Sequence, residues 1–322
     1  MDIIYYHGHC PDGWCAAFIA SKRYPEAELV PLDHGTDFDF SQVEGKDVLM
    51  VDFSLRTRQL NDNIAFLAKS FRILDHHRTA QAVLEGAPYA TFDMKRSGAG
   101  LTWDYLFGKE LEAMQATWNP ADPFKELKPQ PRPWFVDYVE DRDLWNWALP
   151  MSKEICAYLG TLELNKEDWD KLDSVDWNLA KMKGVGALAH INHYVREAVK
   201  QAQTGILRFQ TGVIEAEDDS IAPVPTWIDY RTAVLNVPYL NCSEIGNELA
   251  KTHDVSLTWF ERADGMIQFS LRSIGDIDVS KIAQVFRGGG HKNASGFQLP
   301  LENGRQVVDR ILGRANEDPQ AA

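Results

Sequence analysis

Near the start of the chain, three short apolar runs each end on ionisable side chains. Asp2-Ile3-Ile4-Tyr5-Tyr6 runs into His7, Val48-Leu49-Met50-Val51 into Asp52, and Phe71-Arg72-Ile73-Leu74 into Asp75-His76-His77. Runs this short and this apolar read as strands buried on both faces. Helix signals separate them. The turn Pro11-Asp12-Gly13 precedes an apolar helix from about Trp14 to Tyr24, and a short strand is expected near Leu29–Leu32. Ser54 is placed to cap an amphipathic helix from about Leu55 to Lys69. This alternation predicts an α/β domain, a parallel sheet with helices on both faces. The C-terminal strand ends of such a sheet share one edge, where ligands bind.

Farther along, about 97–185 read as mostly helical, broken by a proline-rich loop with Pro120, Pro123, Pro129, Pro131 and Pro133. A long helix is expected over about 185–204, and the acidic segment Glu215–Ser220 before Pro223 and Pro225 reads as a linker. The remainder predicts a strand at Thr232–Val237, a helix at Ser243–Lys251 and a hairpin of Val255–Glu261 with Met266–Arg272 around Asp264-Gly265. A helix at Val279–Phe286, a strand near Gly296–Pro300 and a helix near Gln306–Ala315 complete a smaller α+β domain. The expected boundaries are 1–185, a connecting helix and linker over 186–225, and 226–322.

The formal net charge of −14 argues against a surface built to track long nucleic acid, which needs basic residues to replace counterions. No apolar run approaches the roughly 18 residues of a membrane span, so no membrane partner is expected. Four cysteines, Cys10, Cys15, Cys156 and Cys242, show no CxxC spacing, so neither a disulfide framework nor a zinc ribbon is indicated. With no basic or cleavable leader before the first strand, a reducing cytoplasm is the expected compartment.

Four clusters carry metal chemistry: His7-Gly8-His9-Cys10-Pro11-Asp12-Gly13, Asp52, Asp75-His76-His77, and Glu140-Asp141-Arg142-Asp143. Mixed oxygen and imidazole donors suit Mn²⁺, Fe²⁺, Zn²⁺ or similar ions. A strand-end aspartate alone is usually a cap, and a lone histidine a surface group. Their coincidence at neighbouring strand ends points to metal. Spacing alone does not separate Asp141 from Asp143. A fifth cluster, Arg287-Gly288-Gly289-Gly290-His291-Lys292-Asn293-Ala294-Ser295-Gly296, could cradle an anion on backbone amides. Arg272 is a candidate phosphate contact. Trp145 and Trp147 could stack on a base, although such residues more often belong to a core or its rim. His190 and His193 have no supporting neighbours.

HGHCPDG, VDFS, LDHH, EDRDLW and GGGHKNASGF, in that order, resemble the DHH phosphoesterase superfamily, in particular its DHH–DHHA1 subfamily of small-RNA nucleases and cyclic-nucleotide phosphodiesterases. The resemblance implies a DHH domain followed by a DHHA1 domain, with the active site in the cleft between them. It implies a metal-dependent phosphoric diester hydrolase, usually with manganese, in which a metal-bound hydroxide attacks phosphorus. By motif, Asp12, Asp52, His76 and Asp141 match ligands of one metal site, with Asp52 able to bridge to a second. His77 matches a substrate-phosphate contact, with Asp75 orienting it. Gly288, Gly289, Gly290, His291 and Asn293 fall in the element that holds the terminal nucleotide or phosphate, joined by Arg272.

The chain departs from the family in its first motif. Many members carry two aspartates there, two residues apart, whereas here Cys10 stands where the first is expected and Trp14 stands two after Asp12. His7 or His9 is the alternative ligand, with Cys10 as a soft one, and one or two ions of Mn²⁺, Mg²⁺, Fe²⁺, Co²⁺ or Zn²⁺ are compatible. The expected substrates are short RNA or DNA oligonucleotides, as for an oligoribonuclease, or linear and cyclic dinucleotides. The alternatives are an exonuclease on longer single strands, a cyclic mononucleotide phosphodiesterase, and a non-catalytic nucleotide sensor. A homodimer is compatible with the chain.

Overall fold

Ile3, Ile4, Tyr5 and Tyr6 are all buried, and alternation sends them to two different cores. Their strand, β1 (Ile3–His7), is an interior strand of a five-stranded parallel sheet with β2 (Glu28–Leu32), β3 (Asp47–Val51), β4 (Ser70–Asp75) and β5 (Ala90–Phe92). The strand order is β2-β1-β3-β4-β5, and every pairing is parallel. Ile4, Tyr6, Leu49, Val51 and Leu74 pack on one face with α1 (Pro11–Arg23), α4 (Gly98–Trp103) and α5 (Trp134–Asp143). Ile3, Tyr5, Val48, Met50 and Ile73 pack on the other with α2 (Arg58–Leu67). Burying each of these large apolar side chains contributes about 1.5–3 kcal/mol.

The strand order creates the site. From β1 the chain crosses through α1 to β2 on one side, then returns to β3 on the other. A topological switch point therefore lies between β1 and β3, whose ends carry His7 and Asp52. The chain goes on through α3 (Arg78–Val83) to β5 and, after α5, through α6 (Ser152–Leu159), α7 (Lys166–Asp170) and the long α8 (Trp177–Val199).

The computed structural model describes residues 1–33, 37–108, 132–214 and 224–314. Most of the expected proline-rich loop (Pro120, Pro123, Pro129, Pro131), the acidic segment Glu215–Ser220 with Pro223, and Ala315 lie outside the described residues. Contacts divide the chain into Met1–Ala189 and His190–Ala322. Among the described residues, no helix is long and apolar enough to cross a membrane.

The C-terminal unit holds a mixed six-stranded sheet of order β10-β11-β9-β8-β7-β6. Its strands are β6 (Gln203–Ile214), β7 (Val224–Asn236), β8 (Val255–Glu261), β9 (Met266–Arg272), β10 (Gly289–His291) and β11 (Ala294–Pro300). Among the described residues, only β7 and β8 pair in parallel in this sheet, joined through α9 (Cys242–Ala250). The helices α10 (Val279–Val285) and α11 (Leu301–Ile311) pack on the face carrying Leu257, Phe269 and Phe297.

Two expectations are corrected. Residues 186–225 are not simply helix and linker, because Gln203–Ile214 and the start of β7 pair antiparallel within the second sheet. Ser54 does not cap α2. Thr57 does, its hydroxyl accepting from the Leu60 amide at 3.3 Å, while Ser54 Oγ donates to Asp75 at 2.5 Å.

Candidate metal centre

At the switch point the strand ends project polar side chains from a dry sheet. Asp52 follows β3 with φ at +53°, a left-handed conformation that is costly outside glycine and that clusters at functional sites. Its amide is held by the Leu74 carbonyl at 2.9 Å. Asp12 lies in the first turn of α1, after Pro11, where proline and an acid both suit a helix start. The Asp12 carboxylate accepts the amides of Gly98 (2.6 Å) and Ala99 (3.0 Å), which open α4. A Cβ at residue 98 would lie 2.4 Å from the Asp52 Cβ and 2.9 Å from Asp12 Oδ2, so glycine lets α4 reach both carboxylates.

His76, only 2% exposed, stands at the centre. Its Nε2 lies 3.1 Å from Asp52 Oδ1, 3.5 Å from Asp143 Oδ2 and 3.6 Å from Asp12 Oδ2. Asp75, whose carboxylate lies within 4.8 Å of the Asp52 and His77 donors, is held by its own hydrogen bonds. It accepts the amides of His76 (2.7 Å) and His77 (3.1 Å) and the hydroxyl of Ser54, and it pairs with His77 Nδ1 at 2.7 Å. Burial works to raise its pKa, but the His77 imidazole beside it holds the carboxyl far down. An ionised carboxylate only accepts, so Nδ1 of His77 carries the proton. Asp75 therefore orients His77.

The structure corrects the choice of Asp141. Its carboxylate accepts the amides of Ala148 (2.9 Å) and Leu149 (3.2 Å) and the hydroxyl of Ser152, tying down the loop after α5. Asp143, two residues on, faces His76 and Asp12 instead. Glu140 is also structural, holding Arg96, Arg132 and the Ser97 amide. Gly98 was not singled out in the sequence, because its importance depends on packing against distant residues.

Among the described residues, three groups of donors share this edge, one of them Asp52 with the Asp75–His77 pair. Asp12, His76 and Asp143 form another, and His7, Cys10 and Asp52 the third, with donor atoms in each within 4.8 Å of one another. His9 stands apart, largely exposed and 3.8 Å from Asp33. Burial, reinforced by neighbouring carboxylates, pushes the Asp12 pKa well up. Burial also raises Asp143, against the opposing effect of His76. Burial alone would raise Asp52, yet His7 and His76 hold it well below the usual range. Burial opposes charge on His76, but Asp143 and Asp52 push its pKa well above an ordinary imidazole. A buried cluster that gathers protons onto its own side chains is one whose negative charge calls for a cation. Both oxygens of Asp52, and Oδ2 of Asp143, are buried without a well-formed hydrogen bond among the described residues. This donor set fits a divalent cation.

The second set of candidates is described within the C-terminal unit. Gly288–Gly290, His291 and Asn293 form the tight β10–β11 hairpin. A Cβ at Gly288 would meet the Gly296 carbonyl at 2.1 Å, and Gly290 has φ of +134°, so these two glycines are required by the hairpin itself. Gly289 pairs with Gly296, and His291 ends β10 opposite Ala294. Asn293 Nδ2 donates to Ser273 Oγ (2.9 Å) and to the carbonyls of Gly275 and Ile277. The Arg272 guanidinium donates to Ser270 Oγ, Ser243 Oγ and the Leu271 carbonyl, each at 2.8 Å.

A family model described as the DHHA1 domain matches residues 232–317. An uncharacterised protein of Acanthamoeba polyphaga mimivirus is 28% identical over 319 residues, 92% of this chain and 67% of that protein. RecJ of Thermus thermophilus, solved in complex with Mn²⁺, is 14% identical with a TM-score of 0.46, over 98% of this chain and 52% of RecJ. PggH of Vibrio cholerae, described as a pGpG-specific phosphodiesterase, is 12% identical with a TM-score of 0.39, over 98% of both chains.

Proposed function

We propose that this chain, whose residues 232–317 match the DHHA1 domain model, is a DHH–DHHA1 metal-dependent phosphodiesterase acting on short oligonucleotides or on linear or cyclic dinucleotides. The observation that carries the reading is the convergence of Asp12, Asp52, His76 and Asp143 at the switch point. These four residues would hold the ion. A divalent ion bound there, Mn²⁺ in the first instance, would activate water and offset phosphate charge.

The chain's own residues do the rest. His77, fixed by Asp75, would stabilise a phosphate oxygen, a hydrogen bond that strengthens as charge develops there. Buried walls around Asp52 and His76 lower the local dielectric and strengthen each such contact. The β10–β11 hairpin, with His291 at its end, would bind the terminal nucleotide. Arg272 and Asn293 would support that element from behind, since their donors are engaged within the domain.

The test is a panel of short RNAs, dinucleotides and cyclic nucleotides assayed with Mn²⁺, with Mg²⁺ and with chelator. Cleavage that needs metal is expected. His76→Ala should lose both metal and turnover, whereas His291→Ala should mainly weaken substrate binding. Full turnover by His76→Ala in metal-scrubbed buffer overturns the reading. Cys10, which stands where the first of two aspartates is expected, favours a non-catalytic sensor as the competing reading. Binding without metal-dependent cleavage of any panel member would establish it.

A further inference from the structure

We propose that His7, Cys10 and Asp52 form a second metal subsite, bearing a thiolate and selective for zinc over manganese or magnesium. The two oxygens of Asp52 divide between two of the donor groups. Oδ1 lies 3.1 Å from His76 Nε2, and Oδ2 lies 3.5 Å from His7 Nδ1. Asp52 is only 1% exposed, and neither oxygen accepts a well-formed hydrogen bond among the described residues. It is therefore placed to serve an ion on each side.

Cys10 occupies the N-cap position of α1, where Ser, Thr, Asp or Asn would ordinarily accept a helix amide. Its thiol makes no such capping bond, and its Sγ falls within 4.8 Å of the His7 and Asp52 donors. Trp14 supplies no ligand. It is 4% exposed and packs edge-on to Tyr6 and Trp169 in the core, at 5.7 and 6.5 Å between ring centres. One nitrogen, one sulfur and one oxygen remain on this side, against two carboxylates and an imidazole on the other. Thiolate with imidazole suits zinc, and carboxylate-rich sites suit manganese and magnesium. The two subsites would thus take different ions, joined by Asp52.

This inference rests on the centre holding a divalent ion and is independent of which phosphodiester is cleaved. The test uses full-length, metal-stripped protein titrated with Co²⁺, a spectroscopic stand-in for zinc. Thiolate-to-cobalt charge-transfer absorption should appear in the near ultraviolet. It should vanish in Cys10→Ser while the visible cobalt bands of the other subsite persist. A second measurement needs no variant: Zn²⁺, and not Mg²⁺, should slow alkylation of Cys10 mapped by mass spectrometry. Visible cobalt bands without any thiolate band, or a thiolate band unchanged in Cys10→Ser, overturn the thiolate subsite alone. No cobalt absorption of either kind overturns the centre with it.

Discussion

Asp141 and Asp143 show how much a single side chain's direction decides. Both are acidic, both close α5, and they are two residues apart. Asp141 ties Ala148, Leu149 and Ser152 to the helix end, a non-local arrangement with no signature in the local sequence. Asp143 turns into the cluster around His76. Their substitutions should therefore fail differently. Asp141→Ala leaves two amides and a buried hydroxyl without their charged acceptor and should cost on the order of 3 kcal/mol, read by urea unfolding of the metal-free protein. Asp143→Asn removes one negative charge from a crowded site, so its metal-free melting temperature should hold or rise. What it should lose is the stabilisation by Mn²⁺, which for a wild-type site filled a hundredfold above its Kd amounts to about 2.7 kcal/mol. An Asp143→Asn protein stabilised by Mn²⁺ as fully as wild type would remove Asp143 from the ligand set. Asp12, Asp52 and His76 were legible because each stands at a strand end or helix start fixed by local pattern. Gly98 was not, because its value lies in the space it leaves for Asp52 and Asp12.

Among the elements, the parallel strands were legible because both faces are buried and the apolar runs are continuous. The strand β6 was not. Leu207 is buried, while Ile206, Arg208 and Gln210 face outward, so this edge strand looks like a polar connector. Its place is set by tertiary contact, eleven residues of pairing with β7 and the close approach of α11. A Cβ at Gly205 would lie 2.1 Å from the Ile311 carbonyl and 3.0 Å from the Ile311 side chain. Backbone cannot yield as a flexible side chain does, so Gly205→Ala should lift α11 from β6 and cost about 1–3 kcal/mol, as overpacking does. Chemical unfolding followed through the C-terminal unit would read this. A variant as stable as wild type would mean that α11 does not pack on β6 as described.

On the scale of the whole molecule, charge bears on which of the proposed substrates the chain would take. The chain carries 33 Lys and Arg against 47 Asp and Glu. Several basic side chains are already committed: Arg96 and Arg132 to Glu140, Arg208 to Asp229, Arg305 to Glu261 and Lys292 to Asp276. A polymer-tracking nuclease replaces counterions along many phosphates and pays for it in salt sensitivity. For single strands, log affinity falls by about 0.7 per phosphate neutralised for each decade of salt. A dinucleotide with two neutralised phosphates should then give a slope no steeper than about −1.4, and a strand held at six phosphates one near −4. The proposed preference for short substrates predicts the shallow slope for both a dinucleotide and a long single strand, because the same few groups contact each. The measurement is kcat/KM against salt at saturating Mn²⁺, with both substrates. A steep slope for the long strand alone would show a basic track beyond the metal centre and make the protein an exonuclease on long single strands.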